Sequence, residues 1–126
     1  MSSKKTFSTE TSERYARALF EVSSDSKELD LTEDNVRNFC SVLDISPELI
    51  NFIKNPTHSR GQQIEVVNLL SDKLNFSKIL KNFFLLLIEK RRIFFSKKIC
   101  DSFLKLCSQK RGEVKASLIS SKELSQ

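Results

Sequence analysis

Side chains able to do chemistry are sparse in this sequence. A single histidine, His58, follows Pro56 in a connector, with no second histidine and no cysteine near it. A metal site needs several ligands at short, regular spacings. His58 therefore reads as a loop histidine, with a ligand or catalytic role as the weaker alternative. Cys40, Cys100 and Cys107 are odd in number and contain no Cys-x-x-Cys. That pattern indicates buried free thiols rather than a disulfide framework or a zinc site. Asp25, Glu28, Asp30, Glu33 and Asp34 cluster near the start of a helical segment but flank no apolar pocket that the sequence defines. Helix-terminus charge and a solvated surface account for them. The only glycines, Gly61 and Gly112, sit in no phosphate-cradling motif. No catalytic residue, metal or cofactor is expected, and the chain reads as a non-enzyme.

Charge is the other chemical resource. Lysine and arginine total 21 against 16 acidic residues, a net charge of +5. Five of the nine residues from Lys90 to Lys98 are basic. Such a cluster raises nucleic acid or an acidic membrane surface as partners. It also fits a solvated helix end, where basic residues are favourable.

The elements that carry these residues are helical. The 126 residues contain two glycines and two prolines, far below the usual shares of roughly 7% and 5%. A β-sandwich or barrel needs many more chain-benders. The length suits one domain able to bury a real core. After a loose polar start, Tyr15, Leu19 and Val22 fall at helical spacing, and the run Ser23 to Ser26 ends the first helix. Val36, Phe39, Cys40 and Leu43 mark a second, beginning near Lys27 or Thr32. Ser46-Pro47 starts a short third helix that Asn55-Pro56 stops. The fourth spans about 62–74 on a stripe of Ile64, Val67, Leu70 and Leu74. The fifth, about 77–90, carries Ile79, Leu80, Phe83, Phe84, Leu86, Leu87 and Ile88. At 100° per residue its apolar face covers about 200°. Such a helix is either the centre of the bundle or part of a groove that another helix fills. A sixth, about 94–110, shows Phe95, Ile99, Phe103 and Leu106, with Gly112 as its terminator. Beyond it Val114, Ala116 and Leu118 alternate with period two, which predicts a short strand. The longest apolar run, Phe83–Ile88, is six residues. A membrane-spanning helix needs about 20. No apolar segment follows the lysines at the start, which predicts a cytoplasmic protein without a secretory signal.

Three segments then occur in a telling order: Tyr15-Ala16-Arg17-Ala18-Leu19-Phe20, Phe52-Ile53-Lys54-Asn55-Pro56, and Lys81-Asn82-Phe83 continuing to Glu89-Lys90-Arg91-Arg92-Ile93. A fourth, Gly112-Glu113-Val114 to Lys122-Glu123-Leu124-Ser125, follows them. Together they resemble the δ subunit of F-type ATP synthase, called the oligomycin-sensitivity-conferring protein in mitochondria. The resemblance covers roughly residues 12–126. One departure is Arg91, where that family often has glycine.

The resemblance implies an all-α fold: a six-helix bundle over 12–112 after a flexible tail over 1–11. A short strand-like segment at 113–126 would open a truncated C-terminal domain. It implies a stator rather than a catalyst. In that family the bundle binds the amphipathic N-terminal helix of an α subunit in a groove between its first and fifth helices. The C-terminal domain meets the end of the b-subunit stalk, so the headpiece does not turn with the rotor. Carried onto this sequence, the groove residues are Tyr15, Ala18, Leu19 and Val22 with Phe83, Leu86, Leu87 and Lys90. Periodicity alone also allows each of these to face its own core. The resemblance further implies no nucleic acid and a place at the cytoplasmic face of a bacterial inner membrane, or the matrix side of a mitochondrial one. Membrane association would come only through the complex. A basic nucleic-acid-binding helical domain is the alternative, and a self-associating helical adaptor is a third reading.

Overall fold

A computed structural model describes the backbone of residues 7–124 and the side chains of residues 9–113. Six helices follow one another: α1 (Phe7–Asp25), α2 (Leu29–Ile45), α3 (Pro47–Lys54), α4 (Arg60–Leu74), α5 (Lys78–Glu89) and α6 (Ser96–Leu124). A single 3₁₀ turn, Ile93–Phe95, leads into α6. No strand occurs among the described residues.

Local sequence explains most boundaries. Ser46 caps α3, its hydroxyl accepting from the Leu49 amide at 3.3 Å, with Pro47 in the first turn. Ser59 and Gln62 form a reciprocal capping box at the start of α4, with bonds of 3.2 and 3.0 Å. Ser77 caps α5 through the Leu80 amide at 3.2 Å. Three helices end with a non-glycine residue in the left-handed region: Lys27 (φ 59°), Asn75 (φ 54°) and Arg91 (φ 58°). In each case the amide of the next residue reaches back to a carbonyl five positions earlier. These are Glu28 to Ser23 (2.8 Å), Phe76 to Ser71 (3.0 Å) and Arg92 to Leu87 (2.7 Å). This is the helix-terminating arrangement that glycine adopts at no steric cost. The departure noted at Arg91, arginine in place of glycine, therefore keeps the turn and changes the charge carried on it.

The bundle closes around a continuous core. α1 presents Ser12, Ala16, Leu19 and Ser23 as one buried face. The small residues among them let α1 pack closely along α6, and Phe20 meets Phe103 edge-on at 6.4 Å. α2 contributes Val36, Phe39, Cys40 and Leu43 at the expected helical spacing. Phe39, Phe76 and Phe84 join α2, the α4–α5 turn and α5, with centroids 4.8 to 6.3 Å apart. α6 seals the assembly with Ile99, Cys100, Phe103 and Cys107, all almost fully buried.

Buried polar groups pin the helices to one another. The Ser23 hydroxyl donates to Thr32 Oγ1 at 3.0 Å between α1 and α2. Asn35 Oδ1 accepts from the Ser77 amide at 2.8 Å, tying α2 to the start of α5. Glu33, on α2, accepts from Arg37 at 2.7 Å and from Arg111 of α6 at 2.6 Å. The sequence reading treated Glu33 as one of a solvated acidic group. The structure buries it because Arg111, 78 positions later, arrives to neutralise it.

Three further expectations change. The strand expected at 114–120 is helical, because α6 continues without a break to Leu124. Gly112 does not terminate it, since no glycine has positive φ. A lone strand would leave its amides and carbonyls without partners, whereas a helix satisfies them within itself. At the other end, α1 begins at Phe7, so residues 7–11 of the expected 1–11 tail are helical, and residues 1–6 lie outside the described residues. On α4 the buried face is Gln63, Val67 and Ser71, while Ile64 of the expected stripe is exposed.

Candidate functional site

The helix spacing that builds the core also leaves an opening between α1 and α5. α1 supplies Thr11, Arg14, Tyr15, Ala18, Leu19 and Val22, successive members of one helical face. α5 supplies Ile79, Asn82, Phe83 and Leu86 in the same pattern, and Arg92 follows from the connector. Together they enclose a groove of about 630 Å³. Its floor is sealed by Leu19 and Phe83, both nearly buried. Tyr15 meets Phe83 edge-on at 6.4 Å and 70°, which locks the two walls together. Above the floor, Val22 is 50% and Leu86 42% exposed. Ala18 is exposed and small, so an approaching backbone can come close at that point.

Six of the eight residues expected in the groove line it: Tyr15, Ala18, Leu19, Val22, Phe83 and Leu86. The structure places the other two elsewhere. Leu87 is completely buried, turned from the groove into the core by the 100° step from Leu86. Lys90 is exposed in the C-cap position of α5 and does not line the groove. Sequence reasoning did not assign Thr11, Arg14, Ile79, Asn82 or Arg92 to the groove. Extending the helical spacing one turn back from Tyr15 and Phe83 reaches Thr11 and Ile79. Arg14 and Asn82 carry no apolar signal, so periodicity passes over them.

The remaining chemically capable residues serve the fold. His58 stacks on Phe52 with ring centroids 4.0 Å apart, and its carbonyl accepts from Arg91 at 3.3 Å. Cys40, Cys100 and Cys107 are buried free thiols. Hydrogen bonding between Cys40 and Cys100 lowers the first and raises the second well above the ordinary range. Burial pushes Cys107 up to about 11. Burial alone would raise Glu33, but Arg111 and Arg37 outweigh it and hold the carboxyl below its ordinary value. Among the described residues no group of three or more histidine, cysteine or carboxylate side chains could hold a metal ion. No described helix is long and apolar enough to cross a membrane. The basic run is spread over structural tasks: Lys90 and Arg91 end α5, and Lys97 pairs with Asp101 at 3.0 Å.

Comparison with known proteins identifies the family. The family model described as "ATP synthase delta (OSCP) subunit" matches residues 11–126. The chain is 34% identical to the ATP synthase subunit delta of Pelagibacter ubique (strain HTCC1062), over all of this chain and 68% of that protein. It is 32% identical to the subunit delta of Ruegeria sp. (strain TM1040), over 98% of this chain and 67% of the relative. It is 34% identical to that of Rhodospirillum rubrum, over the same shares. The chain thus spans about two thirds of the length of these relatives. Matched by that family model over residues 11–126 and by these relatives across nearly its whole length, the chain belongs to the ATP synthase delta (OSCP) subunit family, a non-catalytic, peripheral-stalk component of F-type ATP synthase that meets the membrane through the complex.

Proposed function

We propose that the α1–α5 groove receives the amphipathic N-terminal helix of an ATP synthase α subunit, and so fastens the catalytic headpiece to the peripheral stalk. The observation that carries this reading is the groove itself. Tyr15, Ala18, Leu19 and Val22 face Phe83 and Leu86 across an open apolar trough. An amphipathic helix offers anchors at i, i+3/i+4 and i+7, which match the spacing of both walls. From Thr11 to Val22 the α1 wall runs about 16 Å, three turns of a docked helix.

In this reading residues 12–112 form the headpiece-binding domain, and residues 113–126 lead toward the part that meets the C-terminal end of the b subunit. Holding both ends, the subunit resists rotor torque and keeps the headpiece from turning. The expected setting is the cytoplasmic face of a bacterial inner membrane, or the matrix side of a mitochondrial one, with attachment through the complex alone.

Calorimetric titration with a peptide copying the N-terminal helix of the α subunit tests the reading. One-to-one binding that persists at high salt, and that Leu86→Asp removes while the helical signal and melting temperature hold, supports it. Absence of binding, or binding untouched by Leu86→Asp, refutes it.

A further inference from the structure

The rims of the groove differ from its floor. On α1, Arg14 lies about 140° around the helix from Leu19, the residue that seals the floor. It therefore stands at the solvent edge of the wall, and it is exposed. On α5 Asn82 lines the groove one residue before Phe83, as Arg14 does one before Tyr15, and it too is exposed. Arg92 adds a second guanidinium where the chain leaves α5. No carboxylate lines the groove. Glu10 and Glu13 line a neighbouring shallow surface depression with Arg14 and Arg17, so Arg14 borders both the depression and the groove. Arg14 forms no ion pair with another described residue.

From this charge pattern we propose that the groove selects its occupant by sign as well as by shape. It takes an amphipathic helix whose apolar stripe is flanked by a carboxylate that reaches Arg14. The proposal rests on the groove being a helix-docking site and adds the chemistry of the helix that fits. An apolar stripe alone would fill the trough in more than one register and in either direction. A guanidinium on only one rim narrows that choice. A carboxylate meeting Arg14 gains a charge-assisted hydrogen bond at the edge of a dry contact, where the pair is less screened than on open surface. A lysine or arginine there meets like charge, which discriminates between partners more than it changes total affinity.

The test uses two synthetic peptides of three to four helical turns with the same leucine stripe. One carries glutamates along one flank and the other carries lysines at those positions. With the wild-type chain at low salt, the glutamate peptide is expected to bind about tenfold more tightly. That ratio should shrink at high salt. Arg14→Glu, at an exposed position, should invert or abolish the preference without changing the melting temperature. Leu86→Asp should weaken both peptides alike. If both peptides bind the wild type equally and Arg14→Glu changes neither, while Leu86→Asp still removes binding, the groove docks helices and charge selection is refuted. Tighter binding of the lysine peptide refutes it outright. If neither peptide binds, both the selection and the docking reading beneath it fall.

Discussion

Leu86 and Leu87 are neighbours in sequence, yet the structure assigns them to different tasks, and truncating each to alanine separates those tasks. Leu87 is wholly enclosed in the hydrophobic core, so Leu87→Ala removes buried carbons and leaves a cavity there. Such changes cost about 2–5 kcal/mol. In a domain of this size that lowers the melting temperature by roughly 10 °C or more. Leu86 is 42% exposed. Leu86→Ala forfeits only the covered part of the side chain, about 1 kcal/mol of stability at ~0.8 kcal/mol per buried methylene. The exposed part is what a docked helix would cover, so its loss should weaken binding by about 1 kcal/mol, close to fivefold. The assay is paired: thermal and urea unfolding of both variants, and titration of each with the α-subunit peptide under conditions where both are folded. The expected result is a large stability loss with near-normal affinity for Leu87→Ala, and the reverse for Leu86→Ala. If Leu87→Ala melts like the wild type but binds poorly, the α5 face is turned differently from the one described. The assignment of groove and core would then fail.

Gly112 is helical, exposed and has open space around the position of a Cβ. Gly112→Ala should therefore raise helix content and stability by up to ~1 kcal/mol, and a loss on circular dichroism and urea unfolding would mean that α6 stops there. Lys27 holds a left-handed turn at the end of α1. Lys27→Gly should stabilise by about 0.5–1 kcal/mol, the relief of steric cost less the added freedom of the unfolded chain; destabilisation in urea would contradict the turn. Arg111 and Arg37 hold Glu33 below its ordinary carboxylate value in the folded state. The stability from this charge is complete above the unfolded value near 4.3 and is lost as pH falls through the lower folded value. Glu33→Gln should flatten that acid limb of a pH–stability curve, and an unchanged slope would remove Glu33 from it. Of the three thiols, Cys40 is lowered by its contact with Cys100, whereas Cys100 and Cys107 are raised. Mass-resolved alkylation of the folded protein should label Cys40 first, and prior labelling of Cys107 would contradict the described burial.

Much of the helical skeleton was readable in one dimension. Ser46-Pro47 and Ser77 announce helix starts because capping is a contact between residues three apart, whereas the Ser59–Gln62 box, which starts α4 at Arg60 instead of near 62, was passed over. The α2 stripe of Val36, Phe39, Cys40 and Leu43 was legible for the same reason, since one packed face repeats every turn. Gly112 and the alternation after it misled because a period of two over so few residues fits several conformations. The deciding interaction is the helix's own continuous hydrogen bonding.

The groove shows the same division. The sequence alone determined that α5 is apolar around too much of its circumference to be covered by a single neighbour, and that α1 offers a matching stripe. It also carried the segments that identify the family. Only the tertiary structure decided which of those apolar residues remain open. Leu86 and Leu87 are equivalent in composition and differ by one 100° step, so their fates depend on where α1 and the rest of the core lie around α5. That Arg14, Asn82 and Arg92 border the groove was not legible in the sequence, because a polar residue becomes a rim only when two helices have been brought side by side. Glu33 and Arg111 could not have been paired in advance, for 78 residues separate them and only the return of α6 along α2 brings them within 2.6 Å.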